Sequence, residues 1–184
     1  MSIIILFLKM LSLLFLLRFL LPLAKVDYFN PVSQITVRYT DFILKPIRPL
    51  FSTVNGFDTG AIFIAFILYV LLIYLKLNYI SWPIDNNILF IFQKALFGIL
   101  LMIVDLYFYA LILSVILSWL APDPNNPIAI AVNQFINPLL SPIQKVIPPF
   151  GMLDFSPIVL FILINIAQNY LGYYASLSPL LGIK

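Results

Sequence analysis

Two ionisable residues stand inside apolar stretches where charge is costly. Lys9 interrupts the run from Ile3 to Leu23, and Asp105 lies within the run from Ile88 to Ala121. An ionisable group near a bilayer centre costs about 2.5–3.5 kcal/mol on insertion scales, so each is a candidate functional group. If the two runs cross in parallel, Asp105 falls about one helical turn from the level of Lys9. A Lys9–Asp105 ion pair is then one expectation; the other is that both snorkel separately to the membrane edges. Arg18, late in the first run, is expected to reach lipid headgroups. Asn165, Gln168, Asn169 and Gly172 follow an i, i+3, i+4, i+7 spacing and share one helical face. In lipid such residues more often hydrogen-bond a neighbouring helix than line a conduit.

Conventional catalysis has little to work with. The chain contains no His, no Cys and no Glu, and all 7 acidic residues are Asp. Thiol nucleophiles, disulfides, Cys/His metal sites and imidazole bases are therefore absent. There is no nucleophile–base arrangement and no glycine-rich phosphate loop. No catalytic residue, no metal ligand and no cofactor is expected.

The elements that must carry these residues are membrane spans. With 63% hydrophobic and 9% charged residues and a mean hydropathy of +1.10, the chain cannot cover a water-soluble core. About 20 apolar residues cross a bilayer as a helix. Four stretches qualify, at about 3–23, 59–77, 97–120 and 157–175. The third apolar stretch begins at Ile88, too early for one simple crossing; Gln93, Lys94 and Gly98 mark 88–96 as an interfacial or bent lead-in. The first stretch reads as a retained span because its charges lie within the apolar run and no small-residue cleavage site follows. A net charge of +3 does not imply nucleic acid, since the basic residues are scattered singly.

An internal repeat organises these spans. At one constant offset Asn30-Pro31 pairs with Asn126-Pro127, Leu44, Pro46 and Ile47 pair with Leu140, Pro142 and Ile143, and Asp58 pairs with Asp154. Each copy (1–80 and 81–184) reads as a span, an amphipathic helix, a Pro-rich turn, an Asp and a return span. Asn30 and Asn126 suit helix N-caps, and the following prolines suit the first helical position. The amphipathic helices are expected at about 31–45 and 127–140, lying in the interface because they are too short to cross. In the first, Val32, Ile35, Tyr39 and Phe42 form the apolar stripe, with Ser33, Gln34, Thr36, Arg38, Thr40 and Asp41 opposite. Pro46, Pro49, Pro142, Pro148 and Pro149 are expected to stop these helices. Asp58 and Asp154 are expected to cap the return spans, with a partner-binding role as the alternative. Two spans per copy give both copies the same orientation, so the fold class is all-α with two tandem parallel repeats.

The string from Asp27 to Gln34, the string from Pro138 to Pro148, Asp154-Phe155-Ser156-Pro157 and Ser118-Trp119 together resemble the YggT/YlmG family over essentially the whole chain. Two departures stand out. The family's Arg-Arg after the second proline reads Arg48-Pro49 in the first copy and Gln144-Lys145 in the second, and its Gly-x-x-Asp stretch reads Asn55-Gly56-Phe57-Asp58. The resemblance implies a small integral membrane protein of bacterial type, from a family associated with cell division, nucleoid distribution, osmotic and potassium adaptation and assembly of membrane complexes. It implies no enzymatic activity.

A scaffold or assembly factor at the inner membrane is thus the expected function, with the lipid bilayer and a membrane protein partner or a second copy as partners and no direct contact with nucleic acid. Candidate partner- or lipid-binding residues are Asn30, Pro31, Arg38, Lys45, Pro46 and Arg48, their counterparts Asn126, Pro127, Pro142 and Lys145, and Asp58 and Asp154. The alternative is an oligomeric channel or transporter component for small ions such as potassium, with Asp105 or the Asn165 face turned inward. Arg18, Lys25, Arg38, Lys45, Arg48 and Lys145 lie on the side of the amphipathic helices, against Lys9, Lys76, Lys94 and Lys184 on the other. That bias places the amphipathic segments in the cytoplasm.

Overall fold

Apolar runs of this length leave the backbone no partner but itself in lipid, so they close their hydrogen bonds as helices. The computed structural model describes residues 2–51, 53–54, 56–79, 88–120, 125–147 and 154–176. Six helices and one small hairpin occur in the order α1 (Ser2–Leu23), α2 (Pro31–Ile47), β1 (Thr53–Val54), β2 (Phe57–Asp58), α3 (Thr59–Tyr79), α4 (Ile88–Leu120), α5 (Pro127–Val146) and α6 (Ser156–Ala175). Helices α1, α3, α4 and α6 are long and apolar enough to cross a membrane. This is a multi-pass membrane protein.

The long helices pack in series, α1 on α3, α3 on α4 and α4 on α6, while α2 lies against α1 and α5 against α4 and α6. Small residues let α1 and α3 approach closely. Ala61 and Ala65 are fully buried, and the Ser12 hydroxyl donates to the Ala65 carbonyl at 2.9 Å across that seam. Phe15 and Leu16 fill the core beside them, joined by Leu44 of α2 and by Phe135 and Ile136 of α5. Gly98 plays the same part between α3 and α4, where a Cβ would run into the Tyr69 ring.

Both short helices begin as the sequence predicts. The Asn30 side chain accepts from the Val32 N–H at 2.9 Å, and Asn126 accepts from Ile128 at 2.9 Å. Their ends differ from expectation. Pro46 lies inside α2, and Pro138 and Pro142 lie inside α5, so these prolines do not stop the helices. A proline removes only its own bond to the carbonyl four residues back, and packing against the long helices keeps the remaining turns in place. Helix α4 runs unbroken from Ile88, so the 88–96 segment is continuous with the third span. Its first turns are held against α3, with Ile91 and Ala95 buried among Leu72, Ile73 and Leu77.

A hairpin lies between α2 and α3. Thr53 pairs with Asp58 and Val54 with Phe57, and Gly56 has φ +83°. Glycine adopts a positive φ without strain.

Candidate functional site

One polar stripe of α2 faces inward. Ser33, Thr36 and Thr40 are buried against α1, while Ile35, Tyr39 and Phe42 are exposed, Phe42 to 88%. In water this helix would be inside out. The inward stripe gives a charged residue of α1 something to bind.

That residue is Arg18. It does not snorkel, being only 8% exposed and surrounded on three sides. One guanidinium nitrogen donates to the Val37 carbonyl and the Thr40 hydroxyl, both at 3.1 Å, and lies 2.9 Å from Asp41 Oδ1. The other donates to Asp58 Oδ2 at 3.3 Å. Thr40 keeps its own hydroxyl on the Thr36 carbonyl at 2.7 Å, so it accepts from Arg18 while donating within the helix. Asp41 is shared, because Arg48 also donates to its Oδ1 at 2.9 Å. Two arginines and two aspartates thus tie α1, α2 and the hairpin together, and their charges cancel. Asp58, expected as a cap for α3, directly precedes Thr59 and is buried; its Oδ2 accepts from Arg18.

The other Asp bonds to the start of α6, where Phe155 is the N-cap residue and makes no side-chain cap bond. Asp154 accepts from the Ser156 N–H at 2.8 Å, at the start of α6, and from the Gln144 side chain at 2.8 Å. The Gln144 bond, followed by those from Ser156, holds the Asp154 carboxyl below its ordinary value of 3.8. This cluster is neutral on the Gln144 side and exposed, quite unlike the one at Arg18.

Within the long helices the two candidate charges do not meet. Asp105 accepts from the Gln168 side chain at 2.8 Å, joining α4 to α6, and no Lys9–Asp105 ion pair forms. The reason is the packing order: α1 lies on α3, and the Asp105 face of α4 looks toward α6. Lys9 is exposed. Of the remaining polar face, Asn165 donates back to the Phe161 carbonyl of its own helix at 2.8 Å, and Asn169 is exposed. A bridge the sequence did not suggest closes the far end of α6, where Lys94 donates to the Tyr174 and Ser176 carbonyls at 2.7 and 2.9 Å. A cation suits the unpaired carbonyls of a helix C-terminus.

The two short helices also meet each other. The Asn30 side chain, besides capping α2, donates to the Pro127 carbonyl at 2.7 Å, and the Asp27 N–H donates to the Gln134 side chain at 3.0 Å. Asn30 is buried in that contact. Pro31, Arg38, Lys45 and Pro46 of α2 and Pro127, Pro142 and Lys145 of α5 are exposed, and Asn126 is half-buried.

Two signals for the Arg18 cluster were present in the sequence. Asn55-Gly56 is the strongest short hairpin signal there is, and it places Asp58 on the strand that leads into α3. Ser33, Thr36 and Thr40 recur at helical spacing and mark a polar stripe that needs a partner. Neither says which span supplies the cation.

A model of the CCB3/YggT family matches this chain over residues 1–80 and 93–175. An uncharacterized protein of Pseudomonas aeruginosa is 36% identical over 151 residues, covering 82% of this chain and 77% of its own length. A second, from Haemophilus influenzae, is 36% identical over 163 residues, covering 87% and 84%. The uncharacterized protein YggT of Escherichia coli is 30% identical over 152 residues, covering 82% and 77%. No solved structure matches.

Proposed function

The chain belongs to the CCB3/YggT family, and from that premise we propose that it acts without catalysis, as a scaffold or assembly factor of the bacterial inner membrane. One observation carries this reading. Helix α2 and the turn before it are fastened to α5 through Asn30 and Asp27, and the two helices form one layer against the long ones. On α2 that layer exposes Ile35, Tyr39 and Phe42 beside Arg38 and Lys45. Apolar anchors flanked by cations suit a helix lying at the headgroup boundary, where partner proteins and lipid are both within reach.

In this reading the chain is two tandem halves of like orientation, α1–α2–α3 and α4–α5–α6, each with an interfacial amphipathic helix between its spans. The twin Asn caps followed by proline support it, as does the division of the family match into two segments. The excess of Lys and Arg on the side of the short helices supports a cytoplasmic placement for them. The Gln168–Asp105 bond favours helix packing over a conduit, since it spends the one acidic side chain of α4 on a neighbouring helix of the same chain.

Affinity purification of the tagged protein in a mild detergent, with mass spectrometry of what stays bound, tests the reading. A stoichiometric membrane protein partner is the expected result. A homo-oligomer with nothing else attached would overturn it in favour of the channel, to be pursued by ion flux in liposomes.

A further inference from the structure

Helix α6 packs on α4 and α5 and is the least enclosed of the four long helices. One row of its residues makes the contact with α4: Leu160 and Ile164 are buried, and Gln168 bonds to Asp105. Roughly a third of a turn around the helix lies a second row, Ile158, Ile162, Asn165, Asn169 and Gly172. Its spacings of 4, 3, 4 and 3 residues make the repeat by which two helices keep one seam in contact along their length. Ile158, Ile162 and Asn169 are exposed on it, and Asn165 is half-buried.

The two asparagines are out of place on a face turned to lipid. Helix α6 is 20 residues long, or about 30 Å, the thickness of a hydrocarbon core. Asn165 therefore falls near mid-span, and Asn169 about 6 Å further toward Tyr173 and Tyr174. Asn165 returns one N–H to the Phe161 carbonyl, and its Oδ1 accepts nothing among the described residues. The Asn169 amide makes no hydrogen bond among them. Lipid offers an amide no partner, and polar side chains in spans bond to another helix instead. At Gly172 a Cβ would meet nothing, so an incoming helix has room to approach.

The corresponding face is already a packing face elsewhere in the chain. At the offset that pairs Asn30 with Asn126, Asn165 and Asn169 match Tyr69 and Ile73 of α3. The Tyr69 ring lies against Gly98 of α4, and Ile73 is buried in a cluster with Ile91 and Ala95 of α4. Helix α3 has α4 to cover that face; no helix follows α6 among the described residues.

We propose that the seam is the interface with a second copy of this chain, two α6 helices crossing in parallel about a two-fold axis along the membrane normal. Copies inserted in one orientation bring each seam residue to its own equivalent at the same depth, so each must complement itself. Asparagine does, because its amide both donates and accepts. Asn169 pairs with the partner's Asn169, and the idle Oδ1 of Asn165 takes the remaining N–H of its counterpart. A charge would repel itself there, and α6 carries none. A buried Asn in such a seam fixes its register and the number of helices.

The chain has no cysteine, so single cysteine variants report without background. In native membranes oxidised with copper phenanthroline, Ile158→Cys and Ile162→Cys are expected to form covalent dimers. Leu163→Cys, 51% exposed against 53% for Ile162 but on the other flank, forms none. In liposomes, energy transfer between terminally labelled copies over a dilution series is expected to show association weakened about threefold or more by Asn169→Leu, the scale of one interhelical hydrogen bond. Asn169→Gln, which keeps the amide, restores it. Equal dimer yields at Ile162 and Leu163, no covalent dimer at Ile158 or Ile162, or wild-type association of Asn169→Leu each overturn the proposal. A seam whose Asn165→Leu, Asn169→Leu double variant loses a different membrane protein, with no self-association at any dilution, belongs to that partner and not to a second copy. The inference does not rest on the scaffold reading: a dimer that holds a partner fits both, and a dimer that holds none overturns that reading and leaves this one.

Discussion

Replacing Arg18 by Met keeps most of the side chain's length and removes its charge. Asp58 loses the cation 3.3 Å away and stays buried, with a side chain only 9% exposed. Asp41 is less affected, since Arg48 remains at 2.9 Å and its side chain is 23% exposed. Breaking a buried pair by removing one partner costs about 3–5 kcal/mol, mainly through the charge left behind. The loss of the bonds to Val37 and Thr40 adds to the same direction, while the exposure of Asp41 subtracts from it. For a chain of this size about 3–5 kcal/mol corresponds to roughly 6–20 °C in melting temperature. Asp58→Asn is milder, because Arg18 keeps Asp41, Val37 and Thr40; about 1.5–3 kcal/mol is expected, the scale of one hydrogen bond to a charged group. The double variant Arg18→Met with Asp58→Leu is expected to recover most of the loss of the single one, since no unpaired charge is then buried. Thermal unfolding in detergent, followed by loss of the monodisperse peak on size exclusion, ranks the three. A melting temperature for Arg18→Met within about 3 °C of wild type, under the same conversion, would refute the view that charge pairing holds α1 to the hairpin. So would a double variant no better than the single.

Three other outcomes are expected. Gly98→Ala drives a methyl into the Tyr69 ring, so it destabilises by about 1–3 kcal/mol, and in a Tyr69→Leu background most of that penalty disappears; an equal loss in both backgrounds would rule out the contact. Gln168→Leu leaves Asp105 without its partner on α6 and lowers the melting temperature more than Asn169→Leu at the exposed position beside it, which unfolding of the two variants in parallel decides. The Asp154 carboxyl is held below 3.8 by Gln144 and the start of α6, so its stabilisation is complete above that value and is lost as pH falls below it. The difference in stability between wild type and Asp154→Asn should therefore shrink between neutral pH and about pH 3, and a constant difference would show that the carboxyl is not ionised when it acts.

Length and hydropathy were enough to find the four long helices, because a bilayer accepts little else than an apolar helix closed on its own hydrogen bonds. Their bounds agree to within a few residues at α1, α3 and α6, where the apolar run ends in polar or turn residues. The Asn-Pro starts of α2 and α5 were equally readable, since capping is settled by neighbours in the chain. Helix ends were not: Pro46 and Pro142 look like stops locally, and the helices pass through them because packing elsewhere outweighs one missing bond.

The buried charges divide along the same line. That Arg18, Lys9 and Asp105 are unusual in their surroundings follows from the sequence alone, since an isolated charge among apolar residues needs an explanation wherever it sits. Which of them pair depends on which helix faces which, and hydropathy carries no information about that, because lipid and protein neighbours are equally apolar. Parallel register suggested Lys9 for Asp105; the packing of α4 on α6 gave it Gln168 instead. A serine, two threonines and an aspartate on one short helix, and another aspartate on the hairpin, lie 15 to 40 residues from Arg18 in the chain, yet become its surroundings only when α2 folds back across α1 with one polar stripe inward. Local sequence made each of those groups available, and long-range packing in a medium without water made them partners.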